Sequence, residues 1–192
     1  MGLERSEIEP LIGKESGPIK ALDDVSTSNV RRWYEIMNEP DMEWLEKLRN
    51  VPEKPFPYMA EAKERILAEQ AYVRERPVPL PMMMAWARQA YWTPEPKDPS
   101  EPHELALKAL DDAGYALTIG VNLEDELVKP VNVGDWLSFQ VKLEGVSAEE
   151  EETKLGKGYL VEMLYTFSNK QGEVVSRHKY TVLKIKRLSP VS

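Results

Sequence analysis

Glu39 and Asp41 around Pro40, two histidines at 103 and 178, and the run Met82-Met83-Met84-Ala85-Trp86 are the residues of this chain with chemistry to offer. A carboxyl pair does acid–base work when one member is desolvated enough to keep its proton near neutral pH. Two carboxylates beside a proline also suit an ordinary solvated turn, and Glu39 and Asp41 admit both roles. His103 falls in the first turn of a helix, where the dipole disfavours a protonated ring, so a capping or surface role is expected. His178 stands between Arg177 and Lys179 in a strand and reads as a surface residue. Met82, Met83, Met84 and Trp86 either fill irregular core or interface gaps or form one wall of a broad apolar pocket. Trp33, Trp44, Trp92 and Trp136 read as core or interface residues.

There is no cysteine, which excludes disulfides, thiol catalysis and Cys-based zinc sites. With two histidines 75 positions apart, no metal centre is expected, although carboxylates alone can hold a hard cation. The 192 residues suffice for one substantial core, and 42% hydrophobic with 30% charged residues is the balance of a globular protein. A net charge of −8 argues against nucleic acid as a partner, because phosphate binding needs clustered Lys and Arg. No basic segment with an apolar core opens the chain, and no apolar run approaches the roughly 18 residues of a membrane span. A cytoplasmic protein is expected, with no membrane partner.

The elements that must position these residues are clearest in the second half. A helix over Glu101 to Ala113 has Ser100 or Glu101 as its cap, Pro102 in its first turn and Gly114 as its stop. Leu105, Leu107, Ala109, Leu110 and Ala113 make it apolar on more than one side, as for a helix wrapped by a sheet. Four strands follow, Thr118–Val128, Trp136–Val146, Lys157–Ser168 and Glu173–Leu188, with a turn at Asn169-Lys170-Gln171-Gly172. Glu149 to Glu152 reads as a solvated hairpin tip. In the first half, Leu11-Ile12-Gly13 and Pro18-Ile19 suggest a short entering strand. A helix capped at Ser26 to Ser28 carries Val30, Trp33, Tyr34 and Met37 on one face. Short helices are expected over Asp41–Asn50 and Tyr58–Arg74, separated by proline-rich turns. The expected architecture is α+β: a single hotdog domain over residues 1–192, with a curved antiparallel sheet wrapped around a central helix and extra N-terminal helices. Residues 1–99 form its helical, proline-rich half, and residues 100–188 its helix and four strands.

With these elements placed, Leu110-Asp111-Asp112-Ala113-Gly114-Tyr115, Val131-Asn132-Val133-Gly134-Asp135-Trp136 and Asn169-Lys170-Gln171-Gly172-Glu173-Val174-Val175 resemble the MaoC-like hotdog family of enoyl-CoA hydratases and dehydratases. The likeness is to the N-terminal, dehydratase-like type, in particular to the MaoC-type subunit of bacterial steroid side-chain enoyl-CoA hydratases. The methionine run after its proline-rich lead is similar to the same group. The resemblance extends from about Leu11 to Arg187 and is weakest between Met42 and Pro77.

It implies a Gly-Asp-x-Asn-Pro stretch ending in histidine, whose Asp and His handle water and proton in syn hydration of the enoyl double bond. That chemistry needs water deprotonated as it attacks C3, C2 protonated, and charge stabilised on the thioester carbonyl. The matching stretch here is Ile36-Met37-Asn38-Glu39-Pro40-Asp41-Met42-Glu43-Trp44, with Asn38 in place of glycine, Glu39 in place of aspartate, and no histidine. The half-site therefore reads as degenerate. The resemblance implies a subunit of a heteromeric lyase that completes an acyl-CoA pocket for a catalytic MaoC-type subunit, with the coenzyme A thioester as substrate and no cofactor. Met82, Met83, Met84 and Trp86 would line that pocket. The alternatives are a self-sufficient hydratase or dehydratase using Glu39 or Asp41, possible as a homodimer, and a non-enzymatic acyl-CoA-binding hotdog. A thioesterase using a carboxylate near the central helix is a further option.

Overall fold

The computed structural model describes residues 3–37, 77–88, 97–154 and 156–186. The first elements are helix α1 (Arg5–Ile8), a 3-10 turn (Glu9–Leu11), strand β1 (Ile19–Lys20) and helix α2 (Thr27–Met37). After residue 77 come a 3-10 helix (Leu80–Ala87), helix α3 (Pro102–Asp112) and strands β2 (Leu117–Leu127), β3 (Ser138–Val146), β4 (Glu151–Thr153), β5 (Gly156–Ser168) and β6 (Val174–Ile185).

Helix α3 begins where its capping residues dictate. The Glu101 carboxylate accepts from the backbone of Glu104, and Glu104 Oε2 accepts from the backbone N–H of Glu101 at 3.2 Å, a reciprocal box with Pro102 in the first turn. It ends at Gly114, whose φ of +94° is costly for any side chain bearing a Cβ. Contrary to the expectation of a helix apolar on several sides, only His103, Ala106 and Leu110 are buried, and Leu105 is exposed. The sheet lies against one face, so a single stripe suffices.

The sheet is antiparallel throughout, in the order β1-β3-β5-β6-β2, with β4 added on β5. The four long strands correspond to the four expected from sequence, with ends shifted by no more than three residues. β4 is additional, and β1 falls at the end of the expected entering strand. The entering strand is mostly irregular: Gly13 and Ser16 donate their N–H groups to Leu143 and Val141, but only Ile19 and Lys20 pair regularly. Ser26 Oγ accepts from the Asn29 N–H at 3.2 Å and starts α2. Val30 is fully buried, whereas Met37 is 54% exposed, because spacing sets a face and not how far the layer beneath it reaches. The acidic tip is solvated, as expected, with Glu149 to Glu152 all exposed, and it is also paired: Glu151–Thr153 lie against β5, and the Tyr115 hydroxyl donates to Glu150 while Lys186 Nζ sits 3.6 Å from it.

Registers align the side chains of one face into rows across β3, β5, β6 and β2. One row is Phe139–Phe167–Ser176–Leu127, the next Val141–Tyr165–His178–Asp125, the next Leu143–Met163–Tyr180–Leu123. Leu110 and Ala106 of α3 join Phe139, Val141, Leu143, Met163 and Phe167 in one core. At its far end α3 reaches β6, where the Lys184 ammonium donates to Asp111 and, at 2.7 Å, to Thr118 Oγ1.

Candidate functional site

The rows are apolar on β3 and β5 and become polar on β6 and β2. His178 is 0% exposed, against the expectation of a strand-surface residue. Its position two residues after Ser176 and four before Val182 puts it on the core face, and the charged neighbours Arg177 and Lys179 point the other way. His178 Nδ1 lies 2.6 Å from Asp125 Oδ1 across the β6–β2 pair, and Nε2 lies 2.9 Å from Ser176 Oγ. Its ring stands edge-on to Phe167 at 5.3 Å between centroids. Both ring nitrogens are satisfied, so the imidazole cannot rotate without breaking two hydrogen bonds.

Beside it on β5, burial pushes the Tyr165 phenol up to about 12, with smaller contributions from Tyr180 and Glu104. Tyr165 therefore stays protonated and can only donate or accept as a neutral hydroxyl. Its hydroxyl contacts Met163 Sδ at 4.0 Å, a weak acceptor. Tyr180 lies over Gly120 on β2, where an added Cβ would stand 2.6 Å from the phenol oxygen; glycine makes room for that ring.

His103 is likewise buried, at 8% exposure, and its Nδ1 has no hydrogen-bond partner. Burial depresses its pKa, and the opposing fields of Glu104 and Glu101 are weaker. The ring is thus held neutral, as expected from its place in the helix, but chiefly by desolvation, and it is not a surface cap. The capping is done by Glu101 and Glu104.

Met82, Met83 and Trp86 are buried and Met84 is half-buried. Trp86 Nε1 donates to the Asp24 carbonyl at 3.2 Å, and the Val78 N–H donates to Val131 at 2.7 Å, tying this segment to the loop before β3. Three of the four are packed into the common core. Trp33 is half-buried and Trp136 is 43% exposed. Glu39 and Asp41 lie outside the described residues, as do Trp44, Trp92 and the helices expected over Asp41–Asn50 and Tyr58–Arg74. The structure thus brings together Asp125, His178, Ser176 and Tyr165, a set that sequence reading did not assemble. Only strand parity, which puts Ser176 and His178 on the face of Val182, hinted at it.

No protein-family model matches the chain. A curated relative, the probable enoyl-CoA hydratase alpha subunit of Thermomonospora curvata, is 26% identical over 183 residues, covering 93% of this chain and 51% of the relative. The chain therefore spans about half the length of that protein. Among solved structures, the ChsH1–ChsH2 complex of Mycobacterium tuberculosis holds a chain that superposes with a TM-score of 0.65 at 21% identity, over 97% of this chain and 93% of that one. The MaoC-like dehydratase of Rhodospirillum rubrum gives a TM-score of 0.41 at 16% identity, over 93% and 94% of the two chains. The fold is the hotdog.

In this hotdog sheet β1 and β2 are the two edges, and β2 is the long one. Ten of its eleven residues pair with β6 on one side, Val121 standing in a bulge, and among the described residues nothing pairs with the other. Leu117, Val121, Leu123 and Leu127 on it are 37–52% exposed, and Val128 beyond it is 41% exposed. An edge this long and this apolar is a surface that calls for a cover. No helix of the described residues is long and apolar enough to cross a membrane, and no group of three or more His, Asp or Glu side chains among them is placed to hold a metal ion.

Proposed function

We propose that this chain is one subunit of a heteromeric enoyl-CoA hydratase (3-hydroxyacyl-CoA dehydratase) in which a catalytic MaoC-type partner supplies the Asp/His pair. This chain completes the sheet and enlarges the cavity for the acyl group of a coenzyme A thioester, with room for bulky, steroid-type acyl chains. The observation that carries the reading is the exposed apolar edge of β2, running the length of the strand from Leu117 to Val128. A second sheet laid along it satisfies its backbone and removes its leucines from water.

Two further points support the reading. The stretch from Ile36 to Trp44 has no histidine with which to move a proton onto C2. The curated relative is named as an alpha subunit of an enoyl-CoA hydratase, and the fold is shared with a chain solved as part of the ChsH1–ChsH2 complex. The enzyme works in the cytoplasm with no cofactor beyond its thioester substrate.

The test is affinity purification at native expression, followed by enoyl-CoA hydration assays with and without the protein recovered. Co-purification of a hotdog chain bearing Gly-Asp-x-Asn-Pro and a histidine, with activity only in the mixture, is the expected result. A homodimer with full hydratase activity alone would refute the reading and return Glu39 and Asp41 to the role of catalytic carboxylates. Acyl-CoA binding without turnover in every combination would instead make the chain a non-enzymatic binder.

A further inference from the structure

Ser176, His178 and Asp125 are ordered like a hydrolytic triad, but the accessible end is the wrong one for hydrolysis. Ser176 is sealed at 0% exposure, so no substrate carbonyl can reach its oxygen. Asp125 is the member that meets the surface, with 16% of its side chain exposed. The network therefore works outward, with Ser176 anchoring His178 and His178 orienting Asp125.

We infer that Asp125 is the residue through which the open edge of β2 selects its partner subunit, accepting a Lys or Arg side chain from a strand of a different chain. The inference rests on the heteromeric reading above and names the chemistry of its partner. One oxygen of Asp125 is engaged by His178, and the other has no partner among the described residues. The neighbouring carboxylates are already matched: Glu126 pairs with Arg177 at 3.0 Å, and Glu124 accepts from Asn122 Nδ2 at 2.9 Å. They point to the opposite face. On its own face Asp125 stands between Leu123 and Leu127, 37% and 52% exposed. A strand covering those leucines also takes water away from the free carboxylate oxygen. That cost is offset only if the incoming strand brings a donor, and most fully if it brings a cation.

A second copy of this chain is a poor candidate. The side chains that its own β2 presents on this face are Thr118, Gly120, Leu123, Asp125 and Leu127. Thr118 is the one hydrogen-bond donor among them; its hydroxyl is neutral and accepts from Lys184 at 2.7 Å, so it brings no positive charge to Asp125. No Lys or Arg lies between Leu117 and Val128, while Glu124, Asp125 and Glu126 do, so self-pairing adds negative charge to negative charge.

The test is titration calorimetry of the full chain against the hotdog subunit that co-purifies with it, at low and high potassium chloride. Asp125→Asn keeps an acceptor for His178 but removes the charge. It is expected to weaken binding at least about tenfold and to flatten the salt dependence. Glu126→Gln, altered on the opposite face, is expected to leave binding unchanged. Should Asp125→Asn fail to fold by circular dichroism, a photo-crosslinking residue at Leu127 carries the test with Asp125 intact. Capture of a partner peptide containing Lys or Arg supports the inference. Capture of a second copy, or binding by Asp125→Asn equal to the parent in strength and salt dependence, overturns it and leaves the heteromeric enzyme standing. Failure of the unaltered chain to bind any hotdog subunit overturns the heteromeric reading itself, and this inference with it.

Discussion

Replacing His178 by alanine tests whether the polar row is integral to the sheet or incidental to it. The parent ring is fully buried, bonded at 2.6 Å to Asp125 and at 2.9 Å to Ser176, and packed edge-on to Phe167. Removing it leaves the sealed Ser176 hydroxyl without its partner, a cost of about 1–3 kcal/mol. The space of the ring and its lost aromatic contact add about 2 kcal/mol. Asp125 keeps access to water and contributes less than about 1 kcal/mol. The total is about 4 kcal/mol, a large share of the roughly 5–15 kcal/mol that holds a domain together. His178→Leu restores bulk without hydrogen bonds and is expected to recover about half of the loss. Adding Ser176→Ala to His178→Leu removes the stranded hydroxyl and is expected to return about 1 kcal/mol, opposite in sign to Ser176→Ala in the parent. Urea unfolding followed by far-UV circular dichroism reads each value, with constant m confirming an unchanged denatured state. If His178→Ala and His178→Leu both stay within about 0.5 kcal/mol of the parent, the network is not holding the sheet and the reasoning fails.

Stability is expected to depend on pH through His103. Burial lowers its folded pKa below the unfolded value near 6.5, so the unfolded chain binds more protons in that window. Its contribution is complete above pH 6.5 and is lost as pH falls toward the depressed folded value; His103→Gln should flatten that limb of a stability-against-pH curve. Glu101→Ala breaks the capping box and the 3.2 Å bond from the Gly17 N–H, and should cost about 1–2 kcal/mol in urea unfolding. Gly158→Ala would drive a Cβ into the Lys184 carbonyl oxygen of the paired strand. It should destabilise by on the order of 2–4 kcal/mol, with loss of amide protection along the β5–β6 pair in hydrogen exchange.

The long strands were legible because alternation is a local property. Leu137, Phe139, Val141 and Leu143 repeat every second residue, and the structure buries them all. Helix α3 was legible from Glu101, Pro102 and Gly114, which are local signals too. What local pattern misses is the side of a strand that two elements agree on only after pairing. His178 has basic residues on both sides in sequence and reads as exposed, yet its parity with Val182 and the β2 register turn it inward against Asp125, 53 residues away. The breadth of apolar face on α3 was overread for a related reason. Leu105 and Leu107 count equally in a periodicity, but the sheet covers one side of the helix and leaves Leu105 in water.

The distribution of polarity across the sheet bears on the proposed pairing with a second subunit. Under α3 the rows end in Phe139, Val141 and Leu143, which are buried in the common core. Toward β2 the same rows end in Leu127, Asp125 and Leu123 at an edge the helix does not cover. A domain that stood alone would gain by making those three positions charged and the buried His178 apolar, since an apolar replacement for a buried polar network is commonly neutral or stabilising. This chain has the reverse, with leucines facing water and a histidine, a serine and an aspartate spent on fixing one carboxylate between them. Both departures become favourable together when a second sheet closes the edge. The leucines are then buried, and the carboxylate, already oriented, meets a donor with little ordering cost. The stability forgone by the isolated chain is in that case specificity gained by the assembly, and a chain engineered with Leu123→Lys and Leu127→Glu should be the more soluble monomer and the poorer subunit.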